Sequence, residues 1–80
     1  MSPEALRSLL IRSPFIPFRI HVSDQAAYDI LHPRMCMIGG SVTFIGMNRK
    51  DSASEFFDEP VIIANRHITR IEPLVDEVAA

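Results

Sequence analysis

Apolar and polar residues alternate without a break over residues 18–22. Phe18, Ile20 and Val22 fall on one side of an extended chain, and Arg19 and His21 on the other. A period of two predicts a half-buried β-strand. The polar Ser23-Asp24-Gln25 corner predicts a turn into an antiparallel partner over 27–32, with Tyr28 and Ile30 on one face and Ala27, Asp29 and Leu31 on the other. Pro33 breaks the ladder and marks an edge or a bend. A short apolar run follows at Met35-Cys36-Met37-Ile38. Gly39-Gly40 then reads as the positive-φ pair of a tight hairpin. The next strand spans 41–47, with Val42 and Phe44 directed to the core, opposite Thr43 and Ile45, and Gly46 as a bulge. Val61-Ile62-Ile63-Ala64 is a further strand, Asn65 a left-handed corner, and 68–72 the closing strand, stopped by Pro73.

Before the strands, Ser2 can cap a helix, Pro3 fits its first turn and Glu4 favours the positive end of its dipole. Ala5, Leu6, Leu9 and Leu10 recur at helical spacing, and Ser13-Pro14 stops the run, so the helix is placed over 3–12. Residues 48–59 are polar, have no apolar period and read as the longest loop, with Phe56-Phe57 as its apolar exception. The pattern therefore predicts one mainly β domain over residues 1–80: an N-terminal helix, a strongly bent five- or six-stranded antiparallel small barrel over 18–72, and a short acidic tail over 73–80. The expected core is Phe18, Ile20, Val22, Ile30, Val42, Phe44, Val61, Ile63, Ile68 and Ile71, closed at one end by Leu6, Leu9 and Leu10.

Composition adds a statement about assembly. In a chain of 80 residues, 48% apolar content is a large share for so small an interior. Part of it reads as interface, and self-association is expected, because obligate interfaces resemble a core cut in half. The net charge of −2, with Lys and Arg scattered, argues against unspecific nucleic-acid binding. The single cysteine, Cys36, allows no internal disulfide, and Leu9-Leu10-Ile11 is too short for a membrane span. A cytoplasmic setting is expected.

The candidate chemistry is sparse. His21, His32 and His67 stand at no zinc-ligand spacing, and one cysteine completes no thiolate set. Cys36 lies near His32 but among Met35, Met37 and Ile38, which reads as a buried, inert thiol. Met35, Met37 and Met47 are expected to fill gaps in the core. Asp51, Glu55, Asp58 and Glu59 lack the glycine of a calcium loop, and Gly39-Gly40 opens a strand, which does not fit a phosphate cradle. No catalytic, cofactor or metal residue is assigned, and the chain is not read as an enzyme. Phe56 and Phe57 are expected to fold back over the barrel end or, as the alternative, to project into a protein partner, for which they are the candidate contacts.

Two segments carry a family resemblance. Phe18-Arg-Ile-His-Val-Ser-Asp24 with Tyr28-Asp-Ile30 resembles the first motif of Sm-like small barrels, where two strands meet at an acidic turn. Val61-Ile-Ile-Ala-Asn-Arg-His-Ile-Thr-Arg-Ile71 is similar to the second, a strand, tight corner and strand ending in two spaced aliphatics. The resemblance implies an SH3/Sm-like ring-forming barrel whose fourth and fifth strands pair between subunits, with single-stranded RNA as a ligand. Arg66 carries over as its nucleotide-contacting residue. The chain departs from the family in having Gln25 where a glycine is usual and Asn65-Arg66 in place of Arg-Gly. The RNA-contacting Asp and Asn of the first motif have no counterpart near Met35-Cys36-Met37. The chain is also similar to short bacterial proteins with a Pro-Phe-Arg-Ile-His-like strand and a terminal Ile-x-x-Ile-Glu-Pro, a group without an assigned activity. Two readings follow: a self-associating, non-catalytic interaction module, or an oligomeric single-stranded-RNA-binding protein.

Overall fold

A computed structural model describes residues 1–47 and 59–74. Helix α1 spans Pro3–Ile11. Its start is capped as the sequence predicts: the Ala5 amide donates to Ser2 Oγ at 3.2 Å. Arg12 is already extended, so the helix ends one residue earlier than its periodicity suggests. Leu6 is buried, and Leu9 and Leu10 pack partly against the core.

Six strands follow: β1 (Phe18–Val22), β2 (Ala27–Ile30), β3 (Cys36–Ile38), β4 (Val42–Met47), β5 (Glu59–Ala64) and β6 (Ile68–Pro73). They form two three-stranded antiparallel sheets, β2-β1-β6 and β3-β4-β5. Two short 3-10 turns carry the chain between the sheets, Pro33–Met35 from β2 to β3 and Asn65–His67 from β5 to β6. Pro33 thus starts a corner and is kept out of any central ladder. The fold is mainly β with one N-terminal helix.

β1 matches its predicted span, and its inner residues Phe18, Ile20 and Val22 are buried. It is the central strand of its sheet, with Ile20 paired to Tyr28 on one side and Ile71 on the other. The register shifts between His21 and Val22 against β6, leaving Thr69 as the additional residue. Its hydroxyl donates to the His21 carbonyl at 3.2 Å. Gly46, where a bulge is expected, pairs in regular register with Pro60.

The expectation for β4 is reversed. Phe44 is 42% exposed, while Thr43 and Ile45 are 0% and 1% exposed. Thr43 and Ile45 therefore face the core, and Val42, Phe44 and Gly46 face outward. β5 starts at Glu59, two residues before the predicted strand, and pairs with β4 along all six of its residues. Val42, Val61, Ile63 and Ile71, expected in the core, are half-buried.

The turns also differ from expectation. Neither described hairpin glycine has a positive φ, and Asn65 does not either; the left-handed residue is Gln25, at φ 73°. The Gln25 amide donates to the Val22 carbonyl at 3.0 Å, and the Val22 amide donates to the Ala26 carbonyl at 3.0 Å. Asp24 closes the corner by accepting from the Ala26 amide at 3.0 Å. This is a three-residue loop ending in a left-handed position, which glycine fits best. Gln25→Gly is expected to be neutral or to stabilise the fold by up to about 1 kcal/mol, since relief of left-handed strain is partly offset by backbone entropy. Gln25→Val is expected to destabilise it, and thermal melts of the two variants check the sign. Gly39 is needed for another reason: a Cβ there would lie 2.9 Å from the Val42 carbonyl oxygen, which accepts from the Gly39 amide at 2.7 Å.

Candidate interaction surface

The outer faces of the two sheets are chemically opposite. On β2-β1-β6 the outward residues other than Ala27 are charged or titratable and matched across strands. Arg19 lies opposite Asp29 and Glu72, and His21 lies opposite Arg70. Arg19 grips Asp29 with two hydrogen bonds, Nε to Oδ1 at 2.6 Å and Nη2 to Oδ2 at 3.1 Å. Glu72 Oε1 lies 2.9 Å from His21 Nε2 and 3.8 Å from Arg70 Nη2. The hydrogen bond from Arg19 holds the Asp29 carboxyl below its ordinary range. Glu72 is also held low, first by its hydrogen bond with His21 and then by the charges of Arg19 and Arg70.

These depressed carboxyls give a pH prediction. Their contribution to stability is present above the unfolded carboxylate range, near about pH 4, and is lost as pH falls through the lower folded values. The urea midpoint is expected to hold from neutral to about pH 5 and to drop below about pH 4. Arg19→Gln is expected to make that acid decline shallower. The difference is small, because the pairs are half exposed and screened by solvent. Urea titrations of both proteins across this range decide it.

On β3-β4-β5 the outward residues are Met37, Val42, Phe44, Gly46, Pro60, Ile62 and Ala64. None of them carries a charge or a polar side chain. The register places Met37 beside Phe44, and Phe44 beside Ile62, in one row across all three strands. Met37 is 69% and Ile62 60% exposed. Met37, expected to fill the core, is therefore a surface residue. Arg7, Leu10, Ile11, Pro33 and Met37 line a groove that continues the patch toward α1, apolar except for Arg7. β3 and β5 are the outer strands of this sheet among the described residues.

The row is fixed from inside. Thr43 Oγ donates to Asn65 Oδ1 at 2.6 Å, and Asn65 Nδ2 donates to the Gly39 carbonyl at 3.0 Å. Asn65 is 4% exposed, so this polar pair is buried and satisfied. With Thr43 held inward, Phe44 must point outward.

The remaining candidates are dispersed. Arg66 is exposed in the 3-10 corner Asn65–His67, next to the residue that anchors the hairpin. Phe56 and Phe57 lie outside the described residues. Cys36 is buried, and burial pushes its thiol up to about 11, so it stays protonated at neutral pH. Ser23 Oγ lies 3.2 Å from His67 Nδ1 in an open cleft. The Ser23 amide already donates to the His67 carbonyl at 2.9 Å, so the pair acts as a clasp between the β1–β2 corner and the second 3-10 turn. Among the described residues no three His, Cys, Asp or Glu side chains are grouped to hold a metal, and no helix is long and apolar enough to cross a membrane.

Comparisons with protein-family models, curated proteins and solved structures gave no match.

The signal for the exposed row was present in the sequence. The segments 35–38, 42–47 and 60–64 are apolar at nearly every position, whereas 18–22 and 68–72 interleave apolar with charged residues. Strands that are apolar on both sides are strands covered on both sides. One cover is the core; among the described residues nothing supplies the other.

Proposed function

We propose that this chain is a non-catalytic interaction module that associates with copies of itself through the β3-β4-β5 sheet and its outer strands. The observation that carries the reading is the uncharged outer face of that sheet, with Met37, Phe44 and Ile62 exposed in a row. Such a face is costly to leave in water, and rows of this kind mark contact surfaces. The architecture we infer is a strongly bent small barrel in the SH3/Sm-like class. Its support is that two short 3-10 corners carry the chain from one sheet to the other, between β2 and β3 and between β5 and β6. A cytoplasmic setting belongs to the proposal, on the strength of a single, protonated cysteine.

Sedimentation over micromolar to millimolar protein tests the reading. A mass that rises with concentration is expected, together with slowed amide exchange along β5. A single-chain mass throughout overturns it.

A second reading, an oligomeric single-stranded-RNA binder resembling Sm-like proteins, has Arg66 in its favour: an exposed guanidinium without a carboxylate partner among the described residues. It predicts RNA binding that weakens steeply with salt and with Arg66→Ala. Measuring the 260/280 nm absorbance ratio of the purified protein and titrating it with RNA at low salt separates the two readings. The chain has one tyrosine and no tryptophan, so even slight nucleic-acid carry-over is visible.

A further inference from the structure

We infer that a second copy of this chain packs face to face on the outer surface of the β3-β4-β5 sheet, with Phe44 at the two-fold axis. This deepens, and rests on, the reading of that sheet as the interaction surface. It adds a contact distinct from pairing along the strand edges.

The first ground is charge. In a two-fold dimer each patch meets its own copy, so any charge on the patch meets a like charge near the axis. The outer residues of β3, β4 and β5 include none. The other sheet could not do this: two copies of its face would bring the linked Arg19, Asp29, His21, Arg70 and Glu72 cluster against itself and strip water from it.

The second ground is the order of side chains. The row reads aliphatic, aromatic, aliphatic, with Phe44 on the central strand. A two-fold axis running along β4 lays β3 of one copy over β5 of the other. Met37 then meets the second copy's Ile62, and the two Phe44 rings meet each other. Phe44 is the hot-spot type of residue, large and aromatic at the centre of the contact.

The area sets the strength. β4 and β5 are six residues long and β3 is three; at about 4.8 Å between strands and about 3.3 Å per residue they make a face of roughly 250 Å². Two such faces bury on the order of 500 Å², and the groove beside α1, which Arg7 also lines, adds to this. A standard stable interface buries about 1,200–2,000 Å². The dimer is therefore weak and governed by concentration, not obligate.

The test compares wild type, Phe44→Asp, Phe44→Thr and Arg70→Gln by sedimentation, with melting curves to confirm folding. Phe44 is exposed, and threonine suits a strand, so Phe44→Thr keeps the fold even where aspartate does not. Both Phe44 variants are expected to weaken association about thirtyfold or more, and Arg70→Gln to leave it unchanged. In addition, a short bis-maleimide is expected to join two copies of Phe44→Cys and not two copies of Arg70→Cys; Cys36, buried and protonated, stays silent. If wild type associates while both Phe44 variants associate as tightly and Phe44→Cys is not joined, the face-to-face contact is overturned and the interaction reading stands. If wild type is a single chain at millimolar concentration, both are overturned.

Discussion

Ile20→Ala is expected to lower the unfolding free energy by about 2–5 kcal/mol. Ile20 is fully buried on the central strand of its sheet, between Tyr28 and Ile71, with Leu6, Phe18 and Ile30 in the same core. Truncation removes apolar burial and leaves a cavity that strands paired on both sides cannot collapse to fill. Small domains hold about 5–15 kcal/mol in total, so this is a large fraction of the whole. With urea slopes of about 1–3 kcal/mol per molar, the midpoint falls by on the order of 2 M. Ile20→Val is expected to cost about 0.5–1.5 kcal/mol. Arg19→Ala, one position away on the exposed face, is expected to move the midpoint far less. A midpoint for Ile20→Ala equal to that of wild type shows that the side chain is not in the core.

The contrast between positions 19 and 20 explains why this part of the fold was legible. Arg19 and His21 are too polar to sit inside unpaired, so their neighbours must. β1 and the inner side of β2 follow from that alone. In β4 no charged residue marks the outer face. Val42 and Phe44 are as apolar as Ile45 and Met47, and alternation cannot choose between the two phases. The choice was made by residues distant in sequence: Cys36, opposite Ile45, and Asn65, which draws Thr43 inward. A shift of one position exchanges the faces of a strand, so the same ambiguity hid the exposed row. The turns failed for a related reason. Gly39 is required by the closeness of the Val42 carbonyl, not by its φ, and the left-handed position is filled by Gln25, for which composition gives no sign. Among the site residues, Arg66 entered only through the family resemblance, whereas Met37, Phe44 and Ile62 meet only through the register of three strands.

Asn65→Ala is expected to cost about 2–4 kcal/mol, although it removes no apolar contact of note. The side chain joins β4 to the β3–β4 hairpin through Thr43 and Gly39. Its backbone adds two further ties, the amide donating to the Ser41 carbonyl at 2.9 Å and the carbonyl accepting from the Met1 amine at 3.0 Å. Alanine keeps the backbone ties and leaves the buried Thr43 hydroxyl without an acceptor, and the Gly39 carbonyl without that donor. Thr43→Val removes one partner of the same pair. The double variant is therefore expected to cost less than the sum of the singles, with a coupling of about 1 kcal/mol or more. Strict additivity in urea titrations shows that the two groups do not depend on each other. Asn65→Asp sharpens the test. An ionised carboxylate still accepts from Thr43 but opposes the Gly39 carbonyl in a site closed to water, so burial raises its folded-state value above the unfolded one. Its destabilisation is then largest at neutral pH and eases as the solution is acidified and the carboxyl becomes a donor, opposite in sign to the Asp29 effect. The same node decides the surface. Thr43 turned inward is what turns Phe44 outward, so a variant that frees Thr43 is expected to weaken self-association as well as the fold.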